Sequence, residues 1–140
     1  MTAVQAPAPG ALARLSRPAG VAALAAGALA YVGTVDPNQA GHYPTCPFLF
    51  VTGWYCPGCG SLRAMHALAH LDVVTALARN PFAVAMVPVL VVIWLRWTAR
   101  TAAGRARTTA AHPAVIWAFL AVVIAFWVLR NLPGFGWLAP

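Results

Sequence analysis

Three cysteines, Cys46, Cys56 and Cys59, are the only thiols of the chain. The step Cys56-Pro57-Gly58-Cys59-Gly60 leaves two residues between its sulfurs, a spacing that suits a shared metal ion or a reversible disulfide. In the metal reading, Cys46, Cys56 and Cys59 are three ligands for zinc. His42, His66 or His70 completes a Cys₃His set, with His66 taken as the fourth ligand. In the redox reading, Cys56 and Cys59 are the exchanging pair and Cys46 is a third, resolving thiol. A plainer reading makes them a fixed disulfide or buried thiols stapling a loop, with one sulfur left over from three. No βαβ pattern of a thioredoxin surrounds the motif. A full zinc ribbon would carry two knuckles where this chain has one and a half.

The neighbouring residues sharpen these alternatives. If a helix starts at Cys56, then Cys59, Arg63, His66 and His70 fall four, three and four apart and share one face. A thiol near a helix N-terminus and an arginine would have its thiolate favoured. Arg63 also has a plainer role, snorkelling at an interface or pairing with Asp36, Asp72 or a lipid phosphate. Gly53, Gly58 and Gly60, with Thr52 before them, permit backbone conformations that other residues resist. Only two acidic residues exist, Asp36 and Asp72. Carboxylate-based hydrolysis and proton relays therefore lack their groups. Ser-His-Asp, phosphate-loop and His-Glu-x-x-His signatures are also missing from the sequence.

The elements that must hold the cysteines are apolar. Hydrophobic residues make up 61% of the 140 and charged residues 8%, too few to cover a water-facing surface. The net charge is +7, and all of the positive side chains are arginines, placed at the ends of apolar segments. That placement fits the positive-inside bias of membrane proteins and not a nucleic-acid-binding face. The expected fold is all-α: an integral membrane protein of three transmembrane helices, about 18–35, 81–97 and 114–129. Two short amphipathic helices follow the Cys-Pro-Gly-Cys-Gly loop. Residues 1–17 are expected as a disordered cytoplasmic tail and 18–140 as one membrane domain, with the cysteine segment at 44–80. A cleaved signal peptide is the competing account of the first span, through its Ala28-Leu29-Ala30 step.

Within that frame, residues 44–55 are aromatic but broken by Pro44, Pro47 and Gly53, and read as an interfacial loop. Asp72 is expected to cap a helix over Val73–Arg79. Asn80-Pro81 is expected to open the second span, which Pro88 should kink. Trp94 and Trp97 fall at its end, at interface depth, before a basic loop carrying Arg96, Arg100, Arg105 and Arg107. The arginine distribution puts the N-terminus in the cytoplasm and the cysteine motif on the outer face. Membrane lipid is the expected partner, with a second copy or another bilayer protein beside it.

The string Cys46-Pro47-Phe48, Thr52-Gly53, Cys56-Pro57-Gly58-Cys59-Gly60, Arg63-Ala64, Leu68, Asp72, Ala76, Asn80-Pro81 resembles a bacterial membrane-protein family catalogued as a domain of unknown function (DUF2752-like). The resemblance covers about residues 44–90. It implies a small integral membrane protein and supplies no reaction, substrate or partner. One departure is Leu71, which stands where the family pattern leads one to expect glycine, in the turn between the two short helices.

Overall fold

The computed structural model describes residues 10–105 and 112–140, and among them every regular element is helical. The chain runs α1 (Ala11–Thr34), α2 (Pro47–Thr52), α3 (Ser61–Ala69), α4 (Val73–Arg79), α5 (Pro81–Ala102) and α6 (Pro113–Leu129), then a 3-10 turn at Gly136–Leu138. Two of these helices, not the expected three, are long and apolar enough to cross a membrane: α1 and α5. At 1.5 Å per residue, α5 with 22 residues reaches about 33 Å, more than a bilayer core of about 30 Å. The 17 residues of α6 reach only about 26 Å.

Both long helices overrun their expected ends. α1 starts at Ala11 and carries Pro18 inside it, so residues 11–17 are helical rather than part of a tail. Residues 1–9 lie outside the described residues. Strong helix formers (Ala11, Leu12, Ala13, Arg14, Leu15) support that first turn despite the missing N–H of Pro18. α5 likewise continues past Trp97, which places Arg96 and Arg100 on its last turns instead of in the loop. Arg107, expected in the same loop, falls outside the described residues.

The start of α1 lies against the end of α5. Trp94 Nε1 donates to the Pro18 carbonyl at 3.0 Å, so this indole ties two helices together rather than serving only as an interface anchor. The Arg14 guanidinium packs against Gly104, just beyond α5. Arg14, Arg100 and Arg105 therefore gather at one end of the helix pair, and the cysteine segment lies at the other. The outer faces of α1, α5 and α6 are bare: Leu24, Leu90, Ile93, Ile116 and Trp117 are all exposed.

Small side chains build the core at the cysteine end. Ala64 and Ala67 of α3 meet Ala76 of α4, with Met65, Leu68 and Val84 packed around them. Alanines let the two short helices approach closely, as they must when the connection between them is so short. That connection has a backbone peculiarity: Leu71 sits at φ 61°, the left-handed region that favours glycine. Asp72 then caps α4 as expected, its Oδ1 accepting from the Thr75 N–H at 2.9 Å. Asn80 caps α5 in the same way through Ala83, with Pro81 in the first turn.

The segment expected as a plain loop contains α2. Its signals are local: Pro47 fits the first helical position, and Gly53 ends the helix in the left-handed region at φ 72°.

Candidate metal centre

Cys46 is the residue that precedes α2, and Cys56 to Gly60 form the turn that leads into α3. α3 starts only at Ser61, because Gly60 adopts φ 82° and breaks any helix begun at Cys56. Cys59 therefore does not share a helical face with Arg63 and His66. Space also demands glycine at this position. A Cβ there would lie 2.5 Å from the Arg79 carbonyl oxygen and 2.6 Å from Pro140 Cβ.

The turn brings all three sulfurs together as free thiols. Cys46 and Cys56 Sγ are 3.5 Å apart, Cys56 and Cys59 Sγ are 3.3 Å apart, and the three lie within 4.8 Å of one another. Four-coordinate zinc with Zn–S near 2.3 Å requires sulfurs about 3.8 Å apart. The separations of 3.5 and 3.3 Å fit shared zinc coordination after shifts of a few tenths of an ångström, and they lie well outside the S–S bond length of about 2.05 Å. Cys59 is buried, whereas Cys46 and Cys56 are half-buried.

The thiols are electrostatically unequal. The Leu49 N–H in the first turn of α2 holds the Cys46 thiol below its usual range. Burial, and then hydrogen bonding to Cys56, push the Cys59 thiol up to about 12. The cation expected to favour the Cys59 thiolate, Arg63, is exposed on α3. It lines an open cavity that Cys46 and Cys59 also line.

The guanidinium beneath the turn belongs to a residue not anticipated for it, Arg130 at the end of α6. Arg130 is 2% exposed. Its Nη1 donates to the carbonyls of Cys56 (2.8 Å) and Pro57 (3.2 Å), and its Nη2 to that of Cys59 (3.1 Å). The Phe126 ring lies 4.9 Å from the guanidinium carbon. Its Nε has no hydrogen-bond partner among the described residues. Next to it, Asn131 pairs with the backbone of Tyr55 in both directions, accepting from its N–H at 2.8 Å and donating to its carbonyl at 2.9 Å. From the other side, the fully buried Asn80 directs Nδ2 at the Pro57 carbonyl (3.0 Å), the Cys59 carbonyl (3.1 Å) and Ser61 Oγ (3.1 Å). Asn80 is therefore more than a cap: one side chain starts α5 and holds the cysteine turn.

The histidines stand apart from the sulfurs. His66 Nδ1 is 2.7 Å from the Val32 carbonyl, its Nε2 is 3.7 Å from Asp36, and its ring lies 4.5 Å from that of His70. His42 binds the Asp36 backbone carbonyl instead. His66, expected as the fourth ligand, is thus engaged with the end of α1. Among the described residues, the cluster of candidate ligand atoms consists of the three cysteines. Thr52 closes the end of α2, accepting from the Trp54 N–H at 3.1 Å.

The geometry and the sequence point to the same stretch. Residues 46–94 match the family described as "Protein of unknown function (DUF2752)". The match starts at the first cysteine of the cluster and takes in Asn80. Arg130 and Asn131, which complete the hold on the turn, lie beyond it. No curated protein and no solved structure matches the chain.

Proposed function

We propose that this chain is a small integral membrane protein whose Cys46, Cys56 and Cys59 hold one zinc ion at the outer membrane face. The observation that carries the reading is Arg130. A buried guanidinium needs a counter-charge. The chain has two acidic side chains: Asp36 is engaged with Asn38 and His66, and Asp72 caps α4. The thiols are what remains near Arg130. Three thiolates and a divalent ion sum to one negative charge, which Arg130 neutralises. A disulfide is neutral and would leave the guanidinium without a counter-ion. Thiolate sulfur is also the donor type that zinc favours.

The membrane setting rests on α1 and α5, which are long enough to span, and on α6, which is apolar around its whole circumference. In lipid, a short span is accommodated by local thinning of the bilayer, so α6 serves as a third crossing. Arginines at the start of α1 and the end of α5 then face the cytoplasm, and the cysteine turn faces outward. Zinc bound there ties the start of α2 to the turn, and Arg130 ties the turn to the end of α6.

The test is metal content in detergent-purified protein. One zinc per chain is expected, lost in Cys59→Ser and in Cys46→Ser. Folded protein that takes up no zinc refutes the reading.

A second reading has its own observation, the 3.3 Å separation of Cys56 and Cys59. In thiol–disulfide exchange these two thiols would be oxidised to a disulfide while a partner protein's disulfide is reduced to two thiols. Thiol labelling across a redox titration separates the two. A Cys56/Cys59 pair that cycles reversibly, in protein that binds no metal, favours exchange.

A further inference from the structure

Beside the sulfurs lies an open cavity of about 600 Å³ lined by Cys46, Cys59, Arg63, Asn38, Tyr43 and Thr45, among others. Three features of it belong together. First, the protein offers the metal three donors, since His66 and His42 are held elsewhere. Sites with three protein ligands keep a position for an exogenous one, whereas structural zinc sites are closed by four. Second, Cys46 and Cys59 both border the cavity, so space adjoins the donors on that side. Third, Arg63 lines the same cavity, and among the described residues neither Asp36 nor Asp72 is paired with it.

The charges decide what kind of ligand fits. Among the side chains, three thiolates and Arg130 with one divalent ion sum to zero, which leaves the Arg63 guanidinium as the one side-chain charge in excess. We infer that the cavity admits a small monoanion, a carboxylate or thiolate class of ligand, to the open position of the metal, with Arg63 binding the anion rather than the metal. The inference rests on the metal reading above. Under it, the site is an exchangeable binding centre, not a fixed structural staple. Arg63 and Arg130 have separate tasks: Arg130 neutralises the protein's own thiolates from below, and Arg63 recruits the incoming charge from the open side.

The experiment uses the full chain in detergent, loaded with cobalt(II) as a spectroscopic substitute for zinc and titrated with azide as the probe monoanion. Saturable change in the visible cobalt bands is expected on azide addition. In Arg63→Ala the cobalt–thiolate spectrum should form as in the native chain, but azide should bind about fivefold more weakly, as loss of one exposed charge contact requires. Arg63→Lys should restore most of that affinity. Cobalt bands that form but ignore azide, or azide binding equal in Arg63→Ala and the native chain, overturn the inference and leave the metal reading standing. Failure of any cobalt–thiolate spectrum to form overturns the metal reading, and the inference with it. Acetate and a small alkyl thiol, titrated in parallel, distinguish the two ligand classes.

Discussion

Replacing Arg130 with methionine removes the guanidinium while keeping an unbranched side chain of similar reach. The native residue makes three charge-assisted bonds to carbonyls, at 2.8, 3.2 and 3.1 Å. Hydrogen bonds to charged groups contribute about 1.5–3 kcal/mol each. Two effects offset their loss. Each carbonyl keeps a second donor: Cys59 N–H for Cys56, and Asn80 Nδ2 for Pro57 and Cys59. Methionine also avoids the desolvation of a buried cation, a cost of several kcal/mol. The net loss from the ordered turn is about 2–4 kcal/mol. If that loss falls on metal binding, at 1.4 kcal/mol per decade, zinc affinity drops at least about thirtyfold. Competition with a chromophoric chelator in detergent measures it, and Arg130→Lys should lie between the two. An ammonium keeps the charge but cannot straddle three carbonyls as a planar fork does. Zinc affinity in Arg130→Met within about threefold of the native value, a difference below 1 kcal/mol, would refute the clamp and with it the charge argument for the metal.

Other perturbations probe the scaffold and the protons. Gly60→Ala combines a left-handed backbone with a Cβ 2.5 Å from a carbonyl oxygen, and should cost about 2–4 kcal/mol by chemical denaturation in detergent; a midpoint equal to the native one would contradict the tight approach. Leu71→Gly relieves φ 61° at a side chain that is 88% exposed, and should raise the thermal midpoint slightly, by up to about 1 kcal/mol of stability. Lowered stability would mean that Leu71 contacts the lipid or a partner productively. For pH, the Cys59 thiol is raised from an ordinary 9.0 to about 12 in the metal-free fold. A raised value means that its contribution to stability is complete below pH 9 and lost as pH climbs towards 12. Metal-free protein should therefore weaken from pH 9 upward, and Cys59→Ala should flatten that decline. Zinc affinity should do the reverse and rise with pH, because the thiols must shed protons to bind.

Local signals were legible and long-range ones were not. Asp72, Asn80 and Pro81 announced two helix starts, since a cap is a matter of residues within one turn. The cysteine segment was recognisable because its spacing is itself the chemistry. α2 was missed: its signals, Pro47 and Gly53, read as breaks in a loop because aromatic residues and prolines crowd the segment. Arg130 and Asn131 read only as the end of an apolar run. Their roles arise when α6 returns to the cysteine turn, and no pattern within a window of residues encodes that closure. The single available signal was arithmetic: a cation beside an apolar helix, in a chain with two acids, must find its counter-charge far away. His66 stands apart from the sulfurs for the converse reason. Helical spacing placed it on a face with Cys59 only if the helix began at Cys56, and the left-handed Gly60 delays that start.

Arg130 follows Cys56 by 74 positions. At translation rates of 5–20 residues per second, the thiols leave the ribosome roughly 4–15 s before their clamp exists. During that interval the turn lacks its contacts to Arg130 and Asn131. The turn is consequently completed late: only a polypeptide synthesised beyond Asn131 carries the side chains of α6 and its end that hold the carbonyls of Cys56, Pro57 and Cys59.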